Sequence, residues 1–231
     1  MKCPVLASAV ITAVSLMGGL IVGVGIGFLV DRLPFHALEQ SLILLVIIPI
    51  FGGGALWGFL LTRIHTLPNR TGAAVAGSLS FGFGVIGAGI MLGALERVLV
   101  EGHRLRGVPI HVIFTLLFIP ATFLVATLGA SAILLASGNR ARWFLPALET
   151  GTAAALSFLV VDLILDALGF RVGAPRAEER ETMLTVAFLG STAAAFSGGG
   201  ILGHFLSRIT DHTAHLSPEG YQDVVSEVKN L

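Results

Sequence analysis

The chain has 231 residues, of which 55% are hydrophobic and only 12% are charged, and its 14 basic and 14 acidic residues cancel to zero net charge. A soluble domain carries about 25% charged residues, so this composition excludes an ordinary water-soluble protein. The absence of a basic run argues against nucleic-acid binding. A single cysteine, Cys3, excludes a disulfide framework and a multi-thiolate metal site.

Long stretches without charged residues predict the membrane spans. About 20 apolar residues cross the hydrocarbon core as a helix, and five intervals are long enough: Lys2 to Asp31, Glu39 to Arg63, Arg70 to Glu96, Arg106 to Arg140, and Glu181 to Arg208. A sixth, from Glu149 to Arg171, is interrupted only by Asp162 and Asp166. We therefore predict an all-α, polytopic membrane protein with six transmembrane helices at about 7–30, 41–61, 73–94, 108–136, 150–169 and 182–206. Pro120 should kink or break the fourth helix.

The predicted domain organisation is one six-helix transmembrane domain at 1–210, followed by a polar tail at 211–231. The domain divides into hairpins at about 7–64, 72–140 and 149–209. In the tail, Ser217-Pro218-Glu219 is typical of a helix start, and apolar residues recur at helical spacing after it. This short amphipathic helix is expected to dock on another protein surface.

An internal repeat is suggested by residues 51–64 and 196–209. At a constant offset of 145, seven of these fourteen positions are identical, including Gly54, Gly58 and Arg63 in the first copy. We predict three parallel hairpin repeats, of which the middle one has diverged. Chance similarity between two apolar helices is the alternative. Two helices per unit place the symmetry axis along the membrane normal, which disfavours inverted-repeat transporter folds.

Small residues spaced by four predict close helix packing. Such faces let backbones approach, which is a main source of helix association in lipid. The expected packing seams contain Gly19, Gly23, Gly27, Gly54, Gly58, Gly89, Gly93, Gly199 and Gly203. A second possibility is that the glycine runs at 52–54 and 198–200 loosen the helix and free carbonyls to coordinate an ion.

Asp162 is the carboxylate placed deepest in a predicted span, and Asp166 shares its helical face. A charge in the membrane must face protein or water. Ser191 and Thr192 should lie at a similar depth on the next helix, so these four residues form a candidate proton or cation transport site. Alternatively, the fifth helix begins earlier, and Asp162 lies near the interface, hydrogen-bonded to a neighbour or paired with Arg171.

The seven histidines do not form a metal-binding pattern. His204 is a possible haem or pigment ligand inside a span, with Glu149 as a potential proton acceptor. His111 lies near the start of the fourth helix, and the others fall in predicted loops or the tail: His36, His65, His103, His212 and His215. No nucleophile constellation is visible. The sequence therefore predicts no catalytic residues, no metal site and no identifiable cofactor.

A family resemblance concerns two hairpins. Gly19, Gly23 and Gly27, then Leu29-Val30-Asp31, then residues 52–58 and Arg63, resemble the two-helix hairpin of ATP synthase protein I. The segment from Asp166 to Phe170, extended through Pro175, is similar to the Asp-containing turn of the same family. The resemblance implies a membrane protein associated with assembly of the membrane sector of the rotary ATP synthase.

Taken together, these features predict a non-enzymatic accessory or assembly subunit that packs against a larger, bioenergetic membrane complex or forms a homo-oligomer. The alternative is a small-solute or ion transporter with a site near Asp162. The excess of Arg over Lys, together with abundant Ala and Gly, suggests a GC-rich genome. We expect a protein of the bacterial inner (plasma) membrane. Lys and Arg are evenly divided between the two sides, so their count does not favour either orientation. The short amino terminus and the polar tail favour cytoplasmic termini.

Overall fold

The computed structural model describes residues 4–31, 39–67, 69–96, 110–138, 143–169 and 176–215. Within these ranges all regular secondary structure is helical. The six helices are α1 (Pro4–Asp31), α2 (Glu39–Ile64), α3 (Arg70–Glu96), α4 (Ile110–Ala136), α5 (Phe144–Ala167) and α6 (Arg176–His215).

Each helix contains a segment long and apolar enough to cross a membrane. Charged residues mark several helix ends, such as Asp31 at the end of α1 and Arg70 at the start of α3. This placement follows from the cost of a charged side chain in hydrocarbon. The predicted all-α class and the six spans are confirmed, and the chain is an integral membrane protein.

Some boundaries differ from those predicted. The helix α5 begins at Phe144 rather than near residue 150, so Glu149 lies inside it as an exposed side chain. The helix α6 continues to His215, which extends it into the segment predicted as tail. The amphipathic helix expected after Ser217 lies outside the described residues. The helix α4 runs through Pro120 without a break, and α2 likewise contains Pro49.

The helices form a closed ring. Each packs on its neighbours in the chain, and α6 packs on α1 to complete the circle, with a smaller contact between α4 and α6. Consecutive spans alternate in direction, so all neighbours in the ring are antiparallel. We call the side that holds Pro4, the α2–α3 turn and the end of α6 the amino-terminal side.

The short α2–α3 turn brings a histidine under the ring. Thr66 has a positive φ of 51°, and the Leu67 N–H donates to the Thr62 carbonyl at 2.9 Å. This bond across six residues is the Schellman pattern that ends helices at a left-handed residue. It reverses the chain at once and leaves His65 and Leu67 buried beneath the bundle.

Candidate functional site

The ring surrounds a partly open apolar cavity of about 330 Å³, to which all six helices contribute side chains. On α6 its wall runs from Ser191 to Leu202, which corresponds to about 16 Å along the axis at 1.5 Å per residue. On α1 it runs from Thr12 to Leu20. The cavity is therefore long relative to its volume and lies in the middle of the membrane spans.

Four residues in the cavity wall carry hydroxyl groups, and two of them, Thr12 and Thr150, form hydrogen bonds with protein atoms. The Thr12 hydroxyl donates to the Ser8 carbonyl at 2.8 Å and accepts from the Trp57 indole N–H at 2.9 Å. The Thr150 hydroxyl donates to the Pro146 carbonyl at 2.8 Å. The rest of the wall is mainly hydrocarbon, so it provides few polar partners for a charged or strongly hydrated solute.

A cluster of fully buried aliphatic side chains closes the ring on the amino-terminal side. We call this cluster the plug, and it consists of Leu61, Ile133, Leu134, Leu202 and Leu206, each with an exposed fraction of 0%. Three helices supply it, and their amino-terminal-side ends converge there. The cavity therefore has a closed end, which is the geometry of a binding site rather than of an open pore.

His65 lies beside the plug in a polar cluster that joins three parts of the chain. Its Nε2 lies 2.8 Å from the Ser8 Oγ of α1, and its Nδ1 lies 3.5 Å from the Ser207 Oγ of α6. The Thr210 hydroxyl, also on α6, donates to the His65 carbonyl at 2.9 Å. We call these contacts the His65 bridge.

Burial, rather than hydrogen-bond direction, favours a neutral imidazole. The Ser8 hydroxyl donates to the Pro4 carbonyl and the Ser207 hydroxyl donates to the Gly203 carbonyl, both at 2.9 Å, so each hydroxyl oxygen faces a ring nitrogen as an acceptor. Burial lowers the pKa of His65 below its ordinary value of 6.5 because desolvation disfavours the charged form. The flanking cations Arg63 and Arg208 are exposed.

This lowered pKa makes stability depend on pH. Below about pH 6.5 the unfolded chain takes up a proton on His65 before the folded protein does, so the free energy of unfolding falls as the pH decreases through and below that value. We expect the melting temperature of the wild type to drop more between pH 7.5 and pH 5 than that of His65→Gln. Other histidines titrate in both proteins, and an identical drop in both would contradict this assignment.

The four residues of the candidate transport site do not converge on the cavity. Asp162 accepts a hydrogen bond from the Thr115 hydroxyl of α4 at 2.5 Å, and Thr192 donates to the Phe188 carbonyl within its own helix. Ser191 lies in the cavity wall, to which Asp162 does not contribute. Asp166 is half-buried and has a partner of its own. The helix α5 begins earlier than expected and Asp162 bonds to a neighbour, which are two features of the alternative interpretation. The transport site itself stays a prediction.

Most of the predicted packing glycines lie in seams inside the ring, where a seam is the contact line of two adjacent helices. Gly19 meets Gly53 of α2, Gly23 meets Val46 of α2, Gly54 meets Gly77 of α3, Gly58 meets Ala73 of α3, Gly199 meets Thr12 of α1, and Gly203 meets Ser8 of α1. Gly89 instead lines the cavity. The surroundings of Gly27 and Gly93 lie outside the described side chains. The runs at 52–54 and 198–200 are continuous helix.

His204 is exposed on α6 and lies edge-on to Phe205, with ring centroids 5.8 Å apart. No hydrogen bond links it to Glu149 in the described part of the chain. Within the same residues, no group of three or more His, Cys, Asp or Glu side chains could hold a metal ion.

The charge-free intervals predict a loop at His65, whereas the structure buries this side chain beneath the ring. One signal was available: Ser8, Thr12 and Ser15 follow at helical spacing on α1, and all three are buried. Polar residues in register on a membrane helix require partners in the protein interior.

Comparison of the chain with protein-family models, curated proteins and solved structures gives no match.

Proposed function

We propose that this protein is a non-enzymatic membrane protein that holds the hydrocarbon chain of a lipid inside its helix ring. The observation that carries the proposal is the elongated apolar cavity bounded by all six helices. Ligand pockets in proteins typically have volumes of about 300–1,000 Å³, and this cavity reaches that range at about 330 Å³.

An empty cavity of this size is energetically costly. The atoms that line unfilled apolar space lose their dispersion contacts on one side. Water is a poor occupant because the cavity wall is mainly hydrocarbon, whereas a buried water needs 2–4 polar partners. The surrounding bilayer, in contrast, supplies hydrocarbon chains at high concentration, and the length of the cavity suits an extended chain.

The accessory or assembly role inferred from the sequence stays a proposal. The surface on which a partner could pack differs from the one expected. Gly54, Gly58, Gly199 and Gly203 are used within the ring, so a partner would have to contact the outer surface. The transporter hypothesis also stays a prediction. The cavity does not favour a path centred on Asp162, because this carboxylate bonds to Thr115 outside the cavity wall.

Trp57 is a built-in reporter for this proposal. The chain has two tryptophans, and Trp57 lines the cavity with an exposed fraction of 4%. In Trp143→Phe protein, reconstituted in nanodiscs of phospholipid with brominated acyl chains, we expect strong quenching of the Trp57 fluorescence. Bromine quenches on contact, and annular lipids outside the ring do not reach this side chain.

A matched pair of substitutions separates cavity occupancy from surface contact. Ala195 lies in the cavity wall, whereas Ala193 shares an outer face with the exposed Leu189 and Phe196. In the Trp143→Phe background, Ala195→Phe should reduce the quenching and Ala193→Phe should leave it unchanged. Absence of quenching without these substitutions would refute the proposed function.

A further inference from the structure

The seam between α6 and α1 differs from the other seams of the ring in its connectivity. Every other pair of adjacent helices is consecutive in the chain, and a connection holds the pair together at one end. The first and last helices have no such connection. Their separation is therefore opposed only by noncovalent contacts.

The contacts along this seam involve small side chains. Gly199 packs on Thr12, Gly203 packs on Ser8, and an added Cβ at Gly200 would lie 3.7 Å from the Cβ of Ala9. Small residues on these faces allow the two helices to approach closely. The larger buried side chains of α6, Leu202 and Leu206, lie in the plug, and Leu16 of α1 packs against the same cluster.

The cavity lies directly behind the same seam. Thr12, Leu16 and Leu20 of α1 line it on one side of the seam, and Ala195, Gly198 and Gly199 of α6 line it on the other. Parting these two helices would connect the cavity laterally with the hydrocarbon core of the bilayer, without exposing a chain to water.

The His65 bridge connects the two helices of this seam on the amino-terminal side. It ties Ser8 of α1 and both Ser207 and Thr210 of α6 to the single α2–α3 turn. Ser8 lies one turn from Thr12 on a continuous helix, so α1 cannot move away from α6 at the cavity without straining these bonds. Thr66, which follows His65, has the left-handed backbone that fixes the turn.

We propose that the α6–α1 seam is the lateral entrance through which a hydrocarbon chain enters the cavity, and that the His65 bridge is the latch that holds it closed. This inference rests on the proposed function, because it assigns the route to that cavity. Opening the entrance requires the two helices to separate, and weakening the latch speeds the exchange without changing what the cavity holds.

A reversible crosslink tests the entrance. Disulfides need Cβ atoms about 3.5–4.5 Å apart, which Ala9→Cys with Gly200→Cys satisfies. Both cysteine substitutions are introduced into Cys3→Ser, Trp143→Phe protein, which is then reconstituted in nanodiscs. After addition of dibromostearic acid, the rate of Trp57 quenching should fall at least about tenfold on oxidation and recover on reduction. The single variants Ala9→Cys and Gly200→Cys, which cannot form this disulfide within one chain, should show little dependence on oxidation.

The latch is tested in the same assay by two variants. His65→Ala removes the imidazole, and the milder Ser207→Ala removes only the Ser207 contact. The second variant provides the test if the first fails to fold. Each folded variant should speed the quenching at least about threefold and keep its final amplitude. Full quenching at a rate insensitive to the Ala9–Gly200 disulfide would overturn the entrance but leave the proposed function standing. Unchanged rates in both latch variants would overturn the latch. Absence of quenching in the background protein would overturn both proposals.

Discussion

Gly58→Ala should destabilise the ring by about 3 kcal/mol or more, the largest effect we expect from adding a single methyl group. The added Cβ would overlap the backbone carbonyl of Ala73 on α3, and a backbone atom cannot move aside as a flexible side chain can. The two helices would have to separate, with loss of their close packing, and overpacking of this kind costs about 1–3 kcal/mol or more. The free energy of unfolding in mixed detergent micelles measures the effect.

Gly52→Ala is the matched control on the same helix. A Cβ at Gly52 meets no atom within 4 Å, and the residue is exposed. Since alanine favours a helix over glycine by about 1 kcal/mol, this variant should be neutral or slightly more stable. The two substitutions therefore differ in sign, and equal effects would show that α2 and α3 do not pack at Gly58 as described.

His65→Ala should cost about 2–4 kcal/mol of stability. It removes a buried ring, leaves a cavity beside the plug, and deprives Ser8 and Ser207 of their shared partner. His204→Ala is the corresponding change at an exposed histidine and should stay within about 0.5 kcal/mol of the wild type. Thermal unfolding of both variants in the same detergent compares them.

Two further substitutions of His65 distinguish its hydrogen bonds from its side-chain volume as the source of its contribution to stability. His65→Gln keeps a donor and an acceptor, so it should lose less stability than His65→Leu, which fills space without polar groups. If the leucine variant proves the more stable of the two, the polar bridge does not stabilise the seam.

The spans could be read from the sequence because charge is so costly in hydrocarbon. Residues such as Asp31, Arg70 and Glu96 bound the helices that the charge-free intervals predict. The same rule placed the start of α5 too late, because Glu149 lies in an exposed part of the helix and does not end it. A charge near the interface costs little, so it marks a helix end poorly.

Spacing also predicted that glycines would pack, but not against which helix. Gly54 and Gly58 meet α3, whereas Gly199 and Gly203 meet α1. The two seams occupy equivalent places when the ring is divided into successive hairpins, and the duplication itself stays a prediction. Glycine spacing within one helix shows only that this helix face permits close approach. Which helix packs on that face depends on how all six helices close into a ring.

The sequence by itself determined that this chain is an all-α membrane protein with six spans, because hydrophobicity and charge act on each segment separately. Only the tertiary structure decided that His65 is buried, that Asp162 bonds to Thr115, and that an apolar cavity lies at the centre. Those features arise between residues that are distant in the chain. Ser8 and Ser207 meet the same imidazole only because α6 returns to α1, and no periodicity within either helix specifies that closure.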